Sequence, residues 1–109
     1  MRRGDVVTIA AGSGIGSKPR PAVIIQADAY SDLPYVIVIM LTSDCANLPR
    51  TRPHVAPDEQ NGLRQPSDLM ADIPVAVRRD KIGAVIGTLA SDDLARCEAA
   101  LLVVLGFAG

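Results

Sequence analysis

Tryptophan is absent from this 109-residue chain, and two Tyr and one Phe are its only aromatic residues. A core must therefore be assembled from Val, Ile, Leu and Ala. An excess of charge of one sign is also missing: 11 Lys and Arg stand against 12 Asp and Glu. Net charge selects no class of partner, and a nucleic-acid binder would have to gather its basic residues on one face. The two cysteines, Cys45 and Cys97, form no CxxC pair and show no metal-ligand spacing, so two reduced thiols of an intracellular protein are expected, with no metal and no cofactor. Long apolar runs are lacking too. The longest, residues 36–41 and 99–108, fall below the ~20 residues of a membrane helix. The start Arg2-Arg3 is followed by Asp5 and an apolar stretch too short for a signal peptide. With no linker, repeat or low-complexity segment, one soluble, cytoplasmic domain over residues 1–109 is expected.

What is present is mostly strand-forming. Residues 5–10 (DVVTIA) are β-branched and read as a first strand. Residues 11–17 (AGSGIGS) form a glycine-rich turn, and residues 21–26 return as a second strand to make a hairpin. The loop 28–34 leads to residues 35–41 (YVIVIML), whose unbroken apolar character predicts a central strand buried on both faces. Residues 52–56 (RPHVA) predict an edge strand, because Pro53 cannot donate a ladder hydrogen bond. Residues 57–64 contain an Asn61-Gly62 turn, residues 67–77 carry one more strand, and residues 78–81 (RRDK) form a charged corner. Residues 83–89 are expected to pair only briefly with the sheet. Ser91 is positioned to cap a helix whose first turn holds Asp92 and Asp93. Leu94, Cys97, Leu101 and Val104 follow at helical spacing, and Gly106 is a natural stop. The pattern is a strand-rich α+β domain closed by a C-terminal helix packed on one face of the sheet.

Among candidate functional groups, Gly12-Ser13-Gly14-Ile15-Gly16 suggests a phosphate loop, but such loops run straight into a helix and here a strand follows. A hairpin loop that carries Ser17 and Lys18 over a ligand is the functional alternative to a plain turn. Arg20 lies between Pro19 and Pro21. Each proline fixes its own φ and biases its predecessor to extended geometry, so the guanidinium is held ready for an anion. Thr42 and Ser43 end the central strand, where hydroxyls either satisfy the turn or donate to a phosphate oxygen. His54 is the only histidine, with an unperturbed pKa of ~6.5 that suits acid–base work. Arg50, Arg52 and Arg64 are candidates to share a face with Lys18 and Arg20.

The order of these signals is more specific than any one of them. Arg3-Gly4-Asp5-Val6 opens the first strand, Arg20-Pro21-Ala22-Val23-Ile24-Ile25 the second, and Thr42-Ser43 closes the third. Pro53-His54-Val55, Asn61-Gly62-Leu63, Pro66-Ser67-Asp68-Leu69, Gly87-Thr88-Leu89 and Leu105-Gly106-Phe107 follow. This succession resembles the MazF/PemK family of bacterial toxins over nearly the whole chain. The resemblance implies a small SH3-like barrel with a C-terminal helix, a homodimer, and the toxin role in a type II toxin–antitoxin module. It also implies metal-independent endoribonuclease activity on single-stranded RNA. A cognate antitoxin would cover the RNA groove with a disordered tail, and the pair would bind DNA together. By position, Arg20 and Thr42 match the family's catalytic arginine and threonine. Ser17, Lys18, Ser43, Arg52 and His54 are the remaining RNA-binding candidates.

Two departures stand out. Residues 73–77 (Ile73-Pro74-Val75-Ala76-Val77) carry neither the arginine nor the aspartate that some members use in catalysis. Val6-Val7 stands where the family has aromatic residues, which leaves fewer platforms for stacking unpaired bases. Two alternatives follow: a non-nucleolytic toxin of the same fold, like the CcdB gyrase poisons, or a degenerate antitoxin-binding module. The first sits badly with the lack of tryptophan and the ending Gly106-Phe107-Ala108-Gly109.

Overall fold

The computed structural model describes residues 1–10 and 18–109. The expected glycine-rich turn over residues 11–17, Ser17 included, lies outside the described residues. Strand β1 (Asp5–Ile9) and β2 (Arg20–Ile24) pair antiparallel as the expected hairpin, with Val6 opposite Val23 and Ile9 opposite Arg20. Strand β3 (Tyr35–Thr42) lies against β2 along one edge. Along its other edge it meets two strands in succession, β5 (Ser67–Leu69) at its end and β6 (Val75–Arg78) at its start. Strand β4 (His54–Val55) pairs with β5 as an edge strand, as Pro53 predicts, and β7 (Ile82–Thr88) pairs with β1 on the far side. The result is one seven-stranded antiparallel sheet ordered β4-β5-β3-β2-β1-β7, with β6 beside β3.

Period-two alternation sends successive side chains of each strand to opposite faces, and both faces of the middle strands are buried. On one face Val6, Val23, Ile39, Leu41 and Leu69 pack with Cys97 and Ala100 of helix α1 (Ser91–Val104), and Leu94 and Leu101 close around them. On the other, Val7, Ile9, Ala22, Ile24, Val36 and Val38 gather, with Val75, Val77 and Ile82 against them. The sheet curls into a half-barrel with the C-terminal helix α1 packed against the first core. Residues 75 and 77, in the segment that lacks an arginine and an aspartate, are thus spent on packing. Arg3 ties the start of the chain to the helix, its Nη2 donating to Glu98 Oε2 at 2.6 Å and its Nε to Ile25 O at 3.1 Å.

Several local expectations differ from the structure. The central strand is not buried on both faces throughout, because Tyr35 and Ile37 are 53% and 44% exposed. They share a face with Ile39 and Leu41 but lie beyond the part that joins the helix-side core. Residues 67–77 hold two strands, β5 and β6, separated by a turn in which Ile73 N–H donates to Met70 O at 3.1 Å. Strand β7 pairs over seven residues, with irregularities in register opposite Val6 to Ile9, because the free edge of β1 accepts it. The helix N-cap is Ala90, whose side chain makes no capping bond, and Ser91 is the first helical residue. Gly106 does end the helix, at φ +84. Gly106 N–H donates to Val103 O (3.1 Å) and Phe107 N–H to Leu102 O (2.8 Å), the paired bonds of a left-handed C-terminal cap. Among the described residues no helix is long and apolar enough to cross a membrane.

Candidate active site

A cleft of about 720 Å³ opens where the ends of β2 and β3 meet the loop that precedes β5. Lys18, Arg20, Ser43 and Arg64 line it, together with Thr8, Leu41, Leu63, Ser67 and Ile86. Three sequence candidates, Lys18, Arg20 and Ser43, are therefore brought together, and Arg64 joins them. Arg20 is exposed and begins β2 directly after Pro19. None of the ion pairs among the described residues engages Lys18, Arg20 or Arg64. Three cationic groups without a carboxylate partner on one concave wall make an anion site, even on a chain whose formal net charge is -1.

Thr42 is placed by strand register. Ala22–Met40 is the last pair of the β2–β3 ladder at this end, and beyond it Thr42 pairs with Asp68 of β5 while Arg20 pairs with Ile9 of β1. Thr42 Oγ1 accepts Asp44 N–H at 3.1 Å, which satisfies the turn and leaves the hydroxyl proton available to donate. Its neighbours Leu41 and Ser43 line the cleft and Thr42 borders it.

Arg64 reaches the cleft because the loop carrying it is clamped. Asn61 is fully buried. Its Nδ2 donates to Ala56 O (3.0 Å), and its Oδ1 accepts from the Asp58 and Leu63 N–H groups at 3.1 and 3.0 Å. Gly62 has φ +69 and lies so close to β7 that a Cβ would stand 2.1 Å from Ile86 O. Only glycine fits there. The Asn-Gly pair is visible in the sequence as a turn, but nothing local shows that it docks a basic residue.

Arg52 and His54 do not join this cleft. They line a second cavity of about 320 Å³ with Cys45, Asn47, Leu48, Pro49 and Asp68. Arg52 Nε donates to Asp72 Oδ1 at 2.9 Å. His54 Nδ1 lies 2.9 Å from Asp68 Oδ1, and Asp68 Oδ2 accepts Ala46 N–H at 2.8 Å. Arg96 on the helix donates to His54 O at 2.7 Å. Asp68 is only 2% exposed. Burial alone would raise its pKa, but the hydrogen bonds from His54 and Ala46 outweigh burial and hold the carboxyl below its ordinary value. Arg50 is also elsewhere, donating to Gly109 O at 2.8 Å. Asp68 and Cys45 were not legible as site residues because they meet His54 only through the pairing of β3, β4 and β5.

Comparison with known proteins shows the family and the fold. Residues 2–105 match the family model described as PemK-like, MazF-like toxin of type II toxin-antitoxin system. The chain is similar to a probable endoribonuclease MazF of Mycolicibacterium smegmatis, 39% identical over 109 residues and covering all of both chains. Its fold is similar to an endoribonuclease in complex with its cognate antitoxin from a mycobacterial species, with TM-score 0.77, 21% identity, and coverage of 100% of this chain and 98% of that one. It is also similar to the MazE-MazF structure from Deinococcus radiodurans, with TM-score 0.79, 20% identity, and coverage of 97% and 96%.

Proposed function

Because the chain belongs to the PemK-like, MazF-like toxin family, we propose that it is the toxin of a type II toxin–antitoxin module and an endoribonuclease that cuts single-stranded RNA in the Arg20 cleft. The observation that carries the proposal is the unpaired guanidinium of Arg20 on the cleft wall, facing the same space as Lys18, Arg64 and Ser43. In the reaction, the ribose 2′-hydroxyl loses its proton to solvent and attacks the adjacent phosphorus, the P–O5′ bond breaks, the leaving oxygen takes up a proton, and a cyclic phosphate and a 5′-hydroxyl remain. Negative charge accumulates on the non-bridging oxygens of the phosphorane. Arg20 meets that charge with two aligned N–H donors, and Thr42 donates its hydroxyl proton to a non-bridging oxygen. Arg20 is no general base, because a guanidinium keeps its proton in a protein. If it moves a proton, it gives one to the leaving oxygen. Lys18 and Arg64 hold flanking phosphates, and Ser43 adds a neutral donor.

The working unit is residues 1–109 as one toxin domain in the cytoplasm. It acts as a homodimer, since exposed apolar side chains such as Ile37, Val85 and Phe107 favour a C2 contact. Light scattering should give twice the chain mass at micromolar concentration, and a monomer would contradict the dimer. An antitoxin with an acidic, disordered segment fits the cationic cleft and would compete with RNA for it. The direct test is to incubate the purified protein with a long RNA in EDTA and map the new ends. Discrete cuts with 5′-hydroxyl termini are expected. Intact RNA, with growth unaffected by strong expression, would overturn the proposal.

A further inference from the structure

We propose that Cys45, His54 and Asp68 form a zinc-binding site that pins the loop after β3 to strands β4 and β5. The three residues come from three separate elements, yet one donor atom of each lies within 4.8 Å of the others. A tetrahedral Zn²⁺ with Zn–N and Zn–O near 2.0–2.1 Å and Zn–S near 2.3 Å holds its donors roughly 3.3–3.6 Å apart. His54 Nδ1 and Asp68 Oδ1 stand 2.9 Å apart, so a bound ion would replace their hydrogen bond and draw the three donors to that spacing. Asp68 is fixed by strand register between Thr42 and His54. Its carboxylate is buried, and it is braced at Oδ2 by Ala46 N–H. A brace of this kind orients a metal-binding carboxylate.

The donor set selects the ion. One thiol, one imidazole and one carboxylate suit borderline Zn²⁺ and exclude Mg²⁺ and Ca²⁺, which take oxygen ligands. The charges around the cavity agree. Asp68 and Asp44 both act on Cys45, and the one guanidinium lining the cavity, that of Arg52, is already held by Asp72. A nucleophilic Cys-His-Asp triad fits less well. Activated cysteines have neighbours that lower the thiol pKa. Here the Asp68 carboxylate lies across the cavity from Cys45, and the guanidinium of Arg52 is held by Asp72 rather than turned to the thiol. The cavity is open, with Cys45 exposed and the His54 side chain 53% accessible, so a fourth position remains for water.

The site lies apart from the lining of the Arg20 cleft. Its occupancy would stiffen residues 43–45 and so steady Ser43, which does line the cleft. The ion is structural in this role and takes no part in the phosphate chemistry.

The test uses the full chain without a histidine tag, stripped with EDTA and dialysed. Calorimetric titration with Zn²⁺ should show one equivalent per chain, and Co²⁺ in its place should give a thiolate-to-cobalt charge-transfer band. Cys45→Ser, on an exposed loop where folding is not at risk, should remove the band and weaken Zn²⁺ binding beyond the ~10–100-fold that loss of an outer-shell partner costs. His54→Ala should weaken it comparably, and Cys97→Ala should keep both the band and the affinity. No saturable binding, a cobalt spectrum without the thiolate band, or unchanged affinity in Cys45→Ser would each overturn the proposal. The readouts involve no RNA, so failure here is separate from failure of the ribonuclease reading.

Discussion

The two cavities at the end of β3 are built from similar residue types and differ in how their charges are satisfied. In the larger, Lys18, Arg20 and Arg64 have no carboxylate partner among the described residues. In the smaller, Arg52 is paired with Asp72 and His54 with Asp68. A protein that leaves cations unpaired in a concave site keeps them for an anion from outside. One that pairs them uses them to fix its own loops and edges. Under the proposed function the first cavity carries the chemistry, and the second organises the β3–β5 edge.

The sharpest way to break the contrast is substitution of Arg20. Arg20→Ala should lower the cleavage rate ~10²–10³-fold, as loss of one preorganised donor to a developing oxyanion does. Thermal unfolding should be unchanged, because Arg20 is exposed. Arg20→Lys should be nearly as slow, since an ammonium cannot make the two-pronged contact. Thr42→Val should cost less, removing one neutral donor. Rates measured on one RNA under single-turnover conditions rank the three.

Gly62→Ala should reach the same cleft through the fold. Its φ alone costs ~1–3 kcal/mol for a residue with a Cβ, and the overlap with Ile86 O adds to that. Denaturant titration should show the loss, accompanied by weaker RNA binding as Arg64 shifts.

The smaller cavity should respond in stability. Asp68→Ala leaves the Ala46 N–H and the His54 ring without their acceptor, a loss of about 1–3 kcal/mol. The folded pKa of Asp68 is lowered, so its contribution is present above the ordinary carboxylate value near ~3.9. It fades as pH falls through the lower folded value. Asp68→Asn should therefore flatten the acid limb of a plot of stability against pH below about 4. His54→Ala should have the smallest effect on cleavage, well short of the ~10²–10⁴ expected for loss of a general base. A loss of that size would move His54 into the reaction.

How much of this was legible in the sequence follows the range of the interactions. β1, β2, β3, the edge position of β4 and the helix stop at Gly106 were readable because β-branched runs, a proline and a glycine act locally. The division of residues 67–77 into β5 and β6 was not, because it depends on β3 having two partners along one edge. Arg20 was conspicuous through its flanking prolines. Thr42 was conspicuous only as a strand end, and its pairing with Asp68 of β5 is a tertiary fact. His54 was a candidate for RNA binding, with acid–base work an alternative, by residue type alone. Its partner Asp68 sits in a motif, Pro66-Ser67-Asp68-Leu69, that gives no hint of burial.

The account rests most heavily on Arg20. Its central test is end-mapped cleavage of one long RNA by wild-type protein and by Arg20→Ala, in EDTA and at matched folded concentration. The account predicts discrete 5′-hydroxyl cuts for the wild type and, for Arg20→Ala, the same melting temperature with cleavage slowed at least about a hundredfold. Equal cleavage by the two proteins would contradict it and would leave Pro19 and Pro21 as no more than the border of a strand.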